Sequence, residues 1–330
     1  MNKVLIIGGA GYVGTVLASH LLKENYQVKV LDQFIYNNQY AVQQLYGDPD
    51  FELIRGDFTK KNDLETALKG VSDVIILGGL VGDPITKTYP EESNAINSKG
   101  IKDCIDWLEN KNLNKVVFVS TCSNYGLIGD DELADENFKL NPLSLYATAK
   151  VEAEKHLISK KDKVDYTGVI LRFATAFGIS PRMRFDLTVN EFVRDLYFGK
   201  ELLVYDKDTW RPYCHVRDFS RLISMVLESD ESPVSFEVFN AGGDVNNFTK
   251  QMIVDSILEK IPEGNVEYKS VGSDPRNYRV SFNKVNEVLG FVPEFTVEDG
   301  IKELIDAFSI GLYSDSIENR DKYGNYNIDY

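Results

Sequence analysis

A Rossmann-type, doubly wound parallel α/β sheet followed by a smaller mixed α/β lobe is the fold predicted for this 330-residue chain. Three observations predict it. Short β-branched runs alternate with amphipathic helical patterns through the first half; a glycine-rich turn, "GGAGYVG" from Gly8 to Gly14, follows the first run; and the alternation loosens from about residue 176. Val4–Ile7, Gln27–Leu31, Phe51–Arg55, Val74–Leu77, Val116–Ser120 and Thr167–Arg172 read as short buried strands. Between them, Val13–Lys23, Asp63–Lys69, Glu92–Asn110 and Leu145–Lys160 carry apolar residues at helical spacing. Further on come helical patterns at Leu187–Phe198, Arg217–Glu228, Lys250–Lys260 and Val297–Phe308, with isolated strands near Leu202–Tyr205 and Phe236–Asn240. The expected division is a Rossmann domain over 1–175, its sheet completed by later segments, a lobe over 176–310 and a polar tail over 311–330. The tail's "YSDSIENRDKYGNYNIDY" has no period and reads as mobile, or as ordered only against a partner.

Composition excludes several classes of function. A net charge of −15 repels nucleic acid and anionic membrane surfaces alike. No apolar stretch approaches the roughly 20 residues of a membrane span, and Met1-Asn2-Lys3 leads into too short an apolar run for a secretory signal. A cytoplasmic location is the expectation. Cys104, Cys122 and Cys214 are odd in number and scattered, arguing against a disulfide framework or zinc cluster, and His20, His156 and His215 are too few for a histidine-built metal site. Arginine is unevenly placed: only Arg55 precedes Arg172, and lysine supplies the positive charge of the first half. Because the guanidinium fork matches phosphate oxygens, the second half is the expected holder of a phosphorylated anion.

Gly8, Gly11 and Gly14 lie between a predicted strand and a predicted helix, where glycine permits a tight turn, close approach of a pyrophosphate and close helix packing. Asp32 ends the second strand, where a carboxylate accepts from ribose hydroxyls, and Asp57 ends the third, beside the adenine site. The Asp32 charge would repel a 2′-phosphate and no arginine is near it in sequence, so the expected cofactor is NAD rather than NADP.

A second constellation is "STCSNYG" followed by "YATAK". Tyr146 and Lys150 stand four apart on one helical face, so the ammonium reaches both the phenol and a cofactor ribose. A lysine cation and a positive nicotinamide would lower the phenol pKa, letting Tyr146 take a proton from a substrate alcohol as hydride leaves its carbon. Thr121 can hydrogen-bond the same oxygen.

Together these residues resemble the extended short-chain dehydrogenase/reductase family, specifically its NAD-dependent sugar-nucleotide epimerases and dehydratases. The resemblance runs from about Lys3 to Phe308 and includes "GGAGYVG", Asp32, Gly56-Asp57, "NSKG" with Asn97, "STCSNYG", "YATAK", "LRFATAFG" and "RPYCHVRD". It implies bound NAD held by Gly8, Gly11, Tyr12, Val13, Gly14, Asp32, Asp57, Phe58, Gly79, Tyr146 and Lys150, and catalysis by Thr121, Tyr146 and Lys150. It further implies a nucleotide-diphosphate sugar gripped by the lobe, with Arg211 on the diphosphate and Thr175, Arg182, Arg184, Asn190 and Arg276 as further substrate contacts. A homodimer through the helices near Glu92–Asn110 and Leu145–Lys160 follows from the same likeness.

The departures bear on the reaction. Dehydratases carry Asp-Glu directly after the catalytic threonine, and decarboxylases a glutamate; here Cys122 and Ser123 stand there. Without those proton carriers, oxidation and reduction at one carbon is the expected chemistry. An arginine common before a late loop is replaced by Val271, with Arg276 as the nearby substitute. Three readings stand: net C4 epimerisation, net C4 dehydrogenation releasing a 4-keto sugar (for example of a GDP-linked heptose), and a non-catalytic NAD sensor or scaffold. His215 and Cys122 are expected to be packing residues rather than base and nucleophile, and Trp107 part of a helix core or dimer face.

Overall fold

β1 (Lys3–Ile7) alternates its side chains between two apolar layers, Val4 and Ile6 on one face and Leu5 and Ile7 on the other, so the strand is buried on both sides. The same holds along β2 (Gln27–Asp32), β4 (Asp73–Ile76), β5 (Lys115–Thr121) and β6 (Thr167–Phe173), with β3 (Phe51–Arg55) at the edge. The computed structural model describes residues 2–129, 131–270 and 276–329; Val271 falls outside them. These strands form one parallel sheet with β10 (Glu237–Ala241), in the order β10-β6-β5-β4-β1-β2-β3. The chain reverses direction across the sheet between β1 and β4, and this switch point opens the crevice in which such folds bind ligands.

Helices α1 (Tyr12–Lys23) and α8 (Val216–Glu228) pack together over one face, while α2 (Lys61–Ala67) and α5 (Ile101–Trp107) lie against the other with α6 (Leu145–Ile158). The helix predicted over Glu92–Asn110 is broken. A short α4 (Pro90–Ser93), itself preceded by α3 (Asp83–Thr88), passes into a π-helical stretch, Asn94–Gly100, before α5. The widened turn accompanies the inward reach of Asn97, whose amide donates to the Leu80 carbonyl and accepts from the Leu80 N–H, both at 2.8 Å. One side chain thus fixes the loop that follows β4.

The lobe has its own core, built from α7 (Thr188–Tyr197), α9 (Lys250–Leu258) and α11 (Val297–Ser309). Around it run a three-stranded sheet of β7 (Thr175–Phe177), β9 (Trp210–His215) and β11 (Asn247–Thr249), and a pair formed by β8 (Leu202–Tyr205) and β12 (Val266–Lys269). α10 (Asn283–Leu289) packs against β10. The strand expected near Phe236–Asn240 is not an isolated lobe strand: β10 pairs in register with β6, Glu237 opposite Val169 through Ala241 opposite Phe173. Three buried residues, Phe239, Asn240 and Ala241, are what its local pattern hides, since only the partner strand gives them a sheet to join.

The C-terminal segment is also corrected. Tyr323 is buried in the lobe core and its carbonyl accepts from the Phe185 N–H at 2.7 Å, so the segment is ordered on its own chain. Its tyrosines meet one another and the lobe edge to face, Tyr313 with Phe185 and Tyr323 at centroid separations of 5.6 and 5.8 Å. No helix among the described residues is long and apolar enough to cross a membrane.

Candidate active site

A cavity of about 400 Å³ opens at the C-terminal ends of β1, β2, β4 and β5, between the sheet and the lobe. Its floor is the glycine turn. Gly8 has φ +78°, and a Cβ there would sit 2.7 Å from the backbone of Gly78; at Gly14 a Cβ would sit 2.5 Å from Gly9 Cα. Both positions therefore exclude a side chain by contact with backbone. The turn leads into α1, whose N-cap Gly11 and first-turn residues Tyr12 to Gly14 line the cavity, so the positive end of the helix dipole borders it. Gly14→Ala is expected to lower stability by about 1–3 kcal/mol and to weaken dinucleotide binding. Gly47→Ala, whose added Cβ meets nothing within 4 Å, is the control. Thermal melts and a fluorescence titration with NAD check both, and a Gly14→Ala protein that binds as wild type would contradict the close packing.

Asp32 lines the same cavity with both oxygens anchored: Oδ2 accepts from the Ala10 N–H at 2.9 Å and Oδ1 from the Phe34 N–H at 2.8 Å. Burial pushes its carboxyl upward, and those backbone bonds pull it back toward the ionised form. A carboxylate so desolvated and oriented suits a pair of ribose hydroxyls. Asp57 accepts from the Thr59 N–H and hydroxyl at 2.9 and 2.7 Å, so one oxygen shapes the turn after β3. Phe58, Gly79, Tyr12 and Val13 border the cavity as well. Tyr12 does so while its phenol is spent on the Gly178 carbonyl, 2.5 Å away. The donor set and the glycine cradle fit a dinucleotide lying from Asp32 toward α6.

At the other end stand Thr121, Tyr146 and Lys150. Ser144 caps α6 by accepting from Ala147 N–H, which starts the helix at Leu145 and sets Tyr146 and Lys150 one turn apart on the cavity side. Lys150 Nζ donates to the Val119 carbonyl at 2.7 Å and lies 4.7 Å from the Phe118 ring centroid and 5.9 Å from that of Tyr146. Burial lowers its ammonium to about 8. The expectation of a depressed Tyr146 phenol is not met by the chain alone. Burial pushes it up, with Arg184 pulling down and Asp83 pushing further up. In the chain alone burial therefore keeps Tyr146 a neutral phenol, and a lowering would have to come from charge that arrives with a ligand.

The lobe contributes Thr175, Arg182, Arg184, Arg211 and Arg276 to the cavity. Arg211, on β9 and nearly buried, lies 5.0 Å over the Tyr278 ring and donates to the Trp210 carbonyl. Arg276 pairs with Asp83 at 3.0 Å and reaches Ser123 Oγ at 3.4 Å. Arg184 is held in a two-pronged pair with Asp186, at 2.9 and 2.6 Å. Arg182 lies between this pair and Asp32, feeling the charges of Arg184 and Asp186 and stacking 4.9 Å over the Tyr36 ring. Asn190 is outside the cavity. Its amide is consumed by Gly178 N–H, Tyr12 Oη and the Arg184 carbonyl, which makes it a brace rather than a substrate contact.

Cys122 is buried, donates to the Arg172 carbonyl, and has its thiol pushed up by burial, so it is a packing residue. His215 is fully buried; its Nδ1 accepts from the Arg217 N–H and its Nε2 bonds Glu303 at 2.9 Å. Trp107 packs partly buried beside the α5 core. Sequence reasoning missed Asp83, Asp186, Tyr278 and Asn325, which all line the cavity. Asp83 stands after β4 at the start of α3 and Asp186 two residues past Arg184, while Tyr278 and Asn325 carry no local signal.

A model of the NAD dependent epimerase/dehydratase family matches residues 4–242. Among curated relatives, the UDP-glucose 4-epimerase of Corynebacterium glutamicum is 26% identical, over 94% of this chain and 96% of its own. The UDP-glucuronate 4-epimerase of Thermodesulfobacterium geofontis is 24% identical, over 93% and 96%. Among solved structures, a UDP-glucuronic acid 4-epimerase from Bacillus cereus, in complex with UDP-glucuronic acid and NAD, superposes with a TM-score of 0.82 at 24% identity, covering 93% of this chain and 99% of its own. At such identities the superposition speaks for the fold.

Proposed function

Because the chain belongs to the NAD dependent epimerase/dehydratase family, we propose that it binds NAD and a nucleotide-diphosphate sugar and inverts the sugar at C4. The observation that carries this reading is the single cavity shared by the glycine cradle with Asp32 at one end and Thr121, Tyr146 and Lys150 at the other. Bound NAD would supply a hydride acceptor and donor. Tyr146 Oη takes the proton of the C4 hydroxyl as that carbon is oxidised and gives it back when the hydride returns to the opposite face, so the cycle is redox-neutral. Thr121, whose Oγ1 accepts from the Ser123 N–H at 3.1 Å, keeps its hydroxyl proton free to bond the same sugar oxygen. Lys150 keeps a cation beneath the phenol. Arg211 and Arg276, both in the lobe, hold the diphosphate.

A second reading has one observation in its favour. The fold brings Asp83 near Tyr146, and one of its carboxylate oxygens is buried without a hydrogen-bond partner, so a carboxylate is present that could serve elimination. Incubation with UDP-, dTDP-, GDP- and CDP-sugars, read by NMR and mass spectrometry, separates these. An epimer of unchanged mass supports inversion; loss of water supports elimination; loss of two hydrogens supports net dehydrogenation. Inertness toward the panel with NAD bound would sink the catalytic reading.

We also assign a homodimer to the α5–α6 face, which presents Leu145 and Ile158 to solvent among the paired charges of Lys102 and Glu152. Light scattering at micromolar concentration should give twice the 37.3 kDa chain mass. The monomer mass would overturn the assignment.

A further inference from the structure

Beyond α11 the chain does not leave the molecule. It turns back across the mouth of the cavity and bonds three loops that are far apart in sequence. At the lobe, the Gly324 carbonyl accepts from Arg182 Nη2 at 2.9 Å and the Asn325 N–H donates to Asp186 Oδ2 at 3.2 Å. At the loop after β4, Asn325 Nδ2 donates to the Val81 carbonyl at 3.1 Å. At the loop after β2, the Asp329 N–H donates to the Ile35 carbonyl at 2.8 Å, and Ile328, like Ile35 and Tyr36, packs on the buried cluster of Leu80, Ile85 and Ile96. Tyr313 and Tyr323 anchor the near end in the lobe core. Asn325, nine-tenths buried, lines the cavity itself.

The loops after β2 and β4 flank the place where the fold lays its dinucleotide, and the segment ties both to the lobe. It also presents Arg182. That side chain is 2% exposed, lies over Tyr36 four residues past Asp32, and has its Nη1 buried with no hydrogen-bond partner. A buried guanidinium with an unmet donor is costly unless an acceptor arrives, and a dinucleotide with its ribose on Asp32 and its pyrophosphate on the glycine turn would bring ribose and phosphate oxygens to this end of the cavity. We propose that residues 313–329 form a strap that closes the cofactor cleft, with Asn325 as its clasp and Arg182 as the cofactor contact it holds in place, so that NAD stays bound from one turnover to the next. This rests on the NAD-binding reading above and sharpens it. A cofactor that does not leave must recover its oxidised state within the cycle, which redox-neutral inversion does by returning the hydride to the sugar carbon. Net dehydrogenation would need exchange or an outside oxidant.

The test is cofactor exchange in the full-length holoprotein. Excess deuterium-labelled NAD is added, and the label in the cofactor retained after rapid desalting is followed by mass spectrometry. Wild type should exchange over hours. Asn325→Ala combined with Ile328→Ser should exchange at least tenfold faster at an unchanged circular dichroism spectrum, and the single Asn325→Ala variant, which leaves Tyr323 and its packing intact, should move in the same direction. Arg182→Gln should also exchange faster. Exchange by Asn325→Ala and the double variant within twofold of wild type, or a wild type that swaps NAD within the mixing time, would overturn the strap while leaving the NAD reading standing. A protein that takes up no dinucleotide at all would overturn both.

Discussion

Tyr146→Phe is expected to keep its fold and its NAD but to lose turnover by about 10²–10⁴-fold, the usual contribution of a positioned proton-transfer group. The ring stays, so its packing beside Lys150 and its wall of the cavity are conserved; only the hydroxyl is removed. The phenol is neutral in the chain alone because burial raises it, so the step that needs a base needs ligand charge to depress it. The sign follows. In wild type, oxidation of the sugar should quicken with rising pH as the phenol deprotonates, and the residual rate of Tyr146→Phe should lack that limb. Rates measured between pH 6 and 10 with NAD saturating decide it. Wild-type turnover in the variant would remove Tyr146 from the mechanism.

Arg211→Ala is expected to weaken binding of the nucleoside diphosphate by about 2–4 kcal/mol, roughly 30- to 1,000-fold, with NAD affinity unchanged. The guanidinium is nearly buried over Tyr278, where a charged hydrogen bond to phosphate is little screened. Arg211→Lys should recover only part of the loss, since an ammonium restores charge but not two parallel bonds. Arg276→Ala should lose less, because this arginine already pairs with Asp83 and must exchange that partner for a phosphate. Calorimetry with UDP, dTDP, GDP and CDP needs no knowledge of the sugar. Equal affinity in wild type and Arg211→Ala would place the diphosphate elsewhere.

What could be read from the sequence was whatever is local. Strands β1 to β6 and the main helices were legible because a doubly buried parallel strand is a short run of Val, Ile and Leu, and a packed helix repeats every three to four residues. The cofactor end was legible for a related reason: Gly8, Gly14 and Asp32 must occupy fixed places in one βαβ unit. Long-range features were not. Nothing within "EVFNA" says that it pairs with a strand some seventy residues earlier. The likeness that singles out "NSKG" does not say that the Asn97 amide bonds Leu80. Asn190 carries the same amide as a substrate contact, and only the positions of Tyr12 and Gly178 show that it is already satisfied. The burial that raises the Tyr146 phenol in the chain alone was not legible either, because desolvation depends on the whole surrounding shell, whereas spacing shows only the neighbouring lysine.

The place of β10 also sets a problem of timing during synthesis. β6, buried along all seven residues, is finished at Phe173, but the strand that covers its outer edge does not begin until Glu237, 237 − 173 = 64 residues later. At about 5–20 residues per second the ribosome needs roughly 3–13 s to deliver it. For that interval the nascent sheet carries an apolar, unsatisfied edge able to template pairing with another chain. A fragment ending near residue 175 would keep that edge permanently and should aggregate, although it holds the whole glycine cradle. Folding of the nucleotide half therefore waits on translation of the lobe.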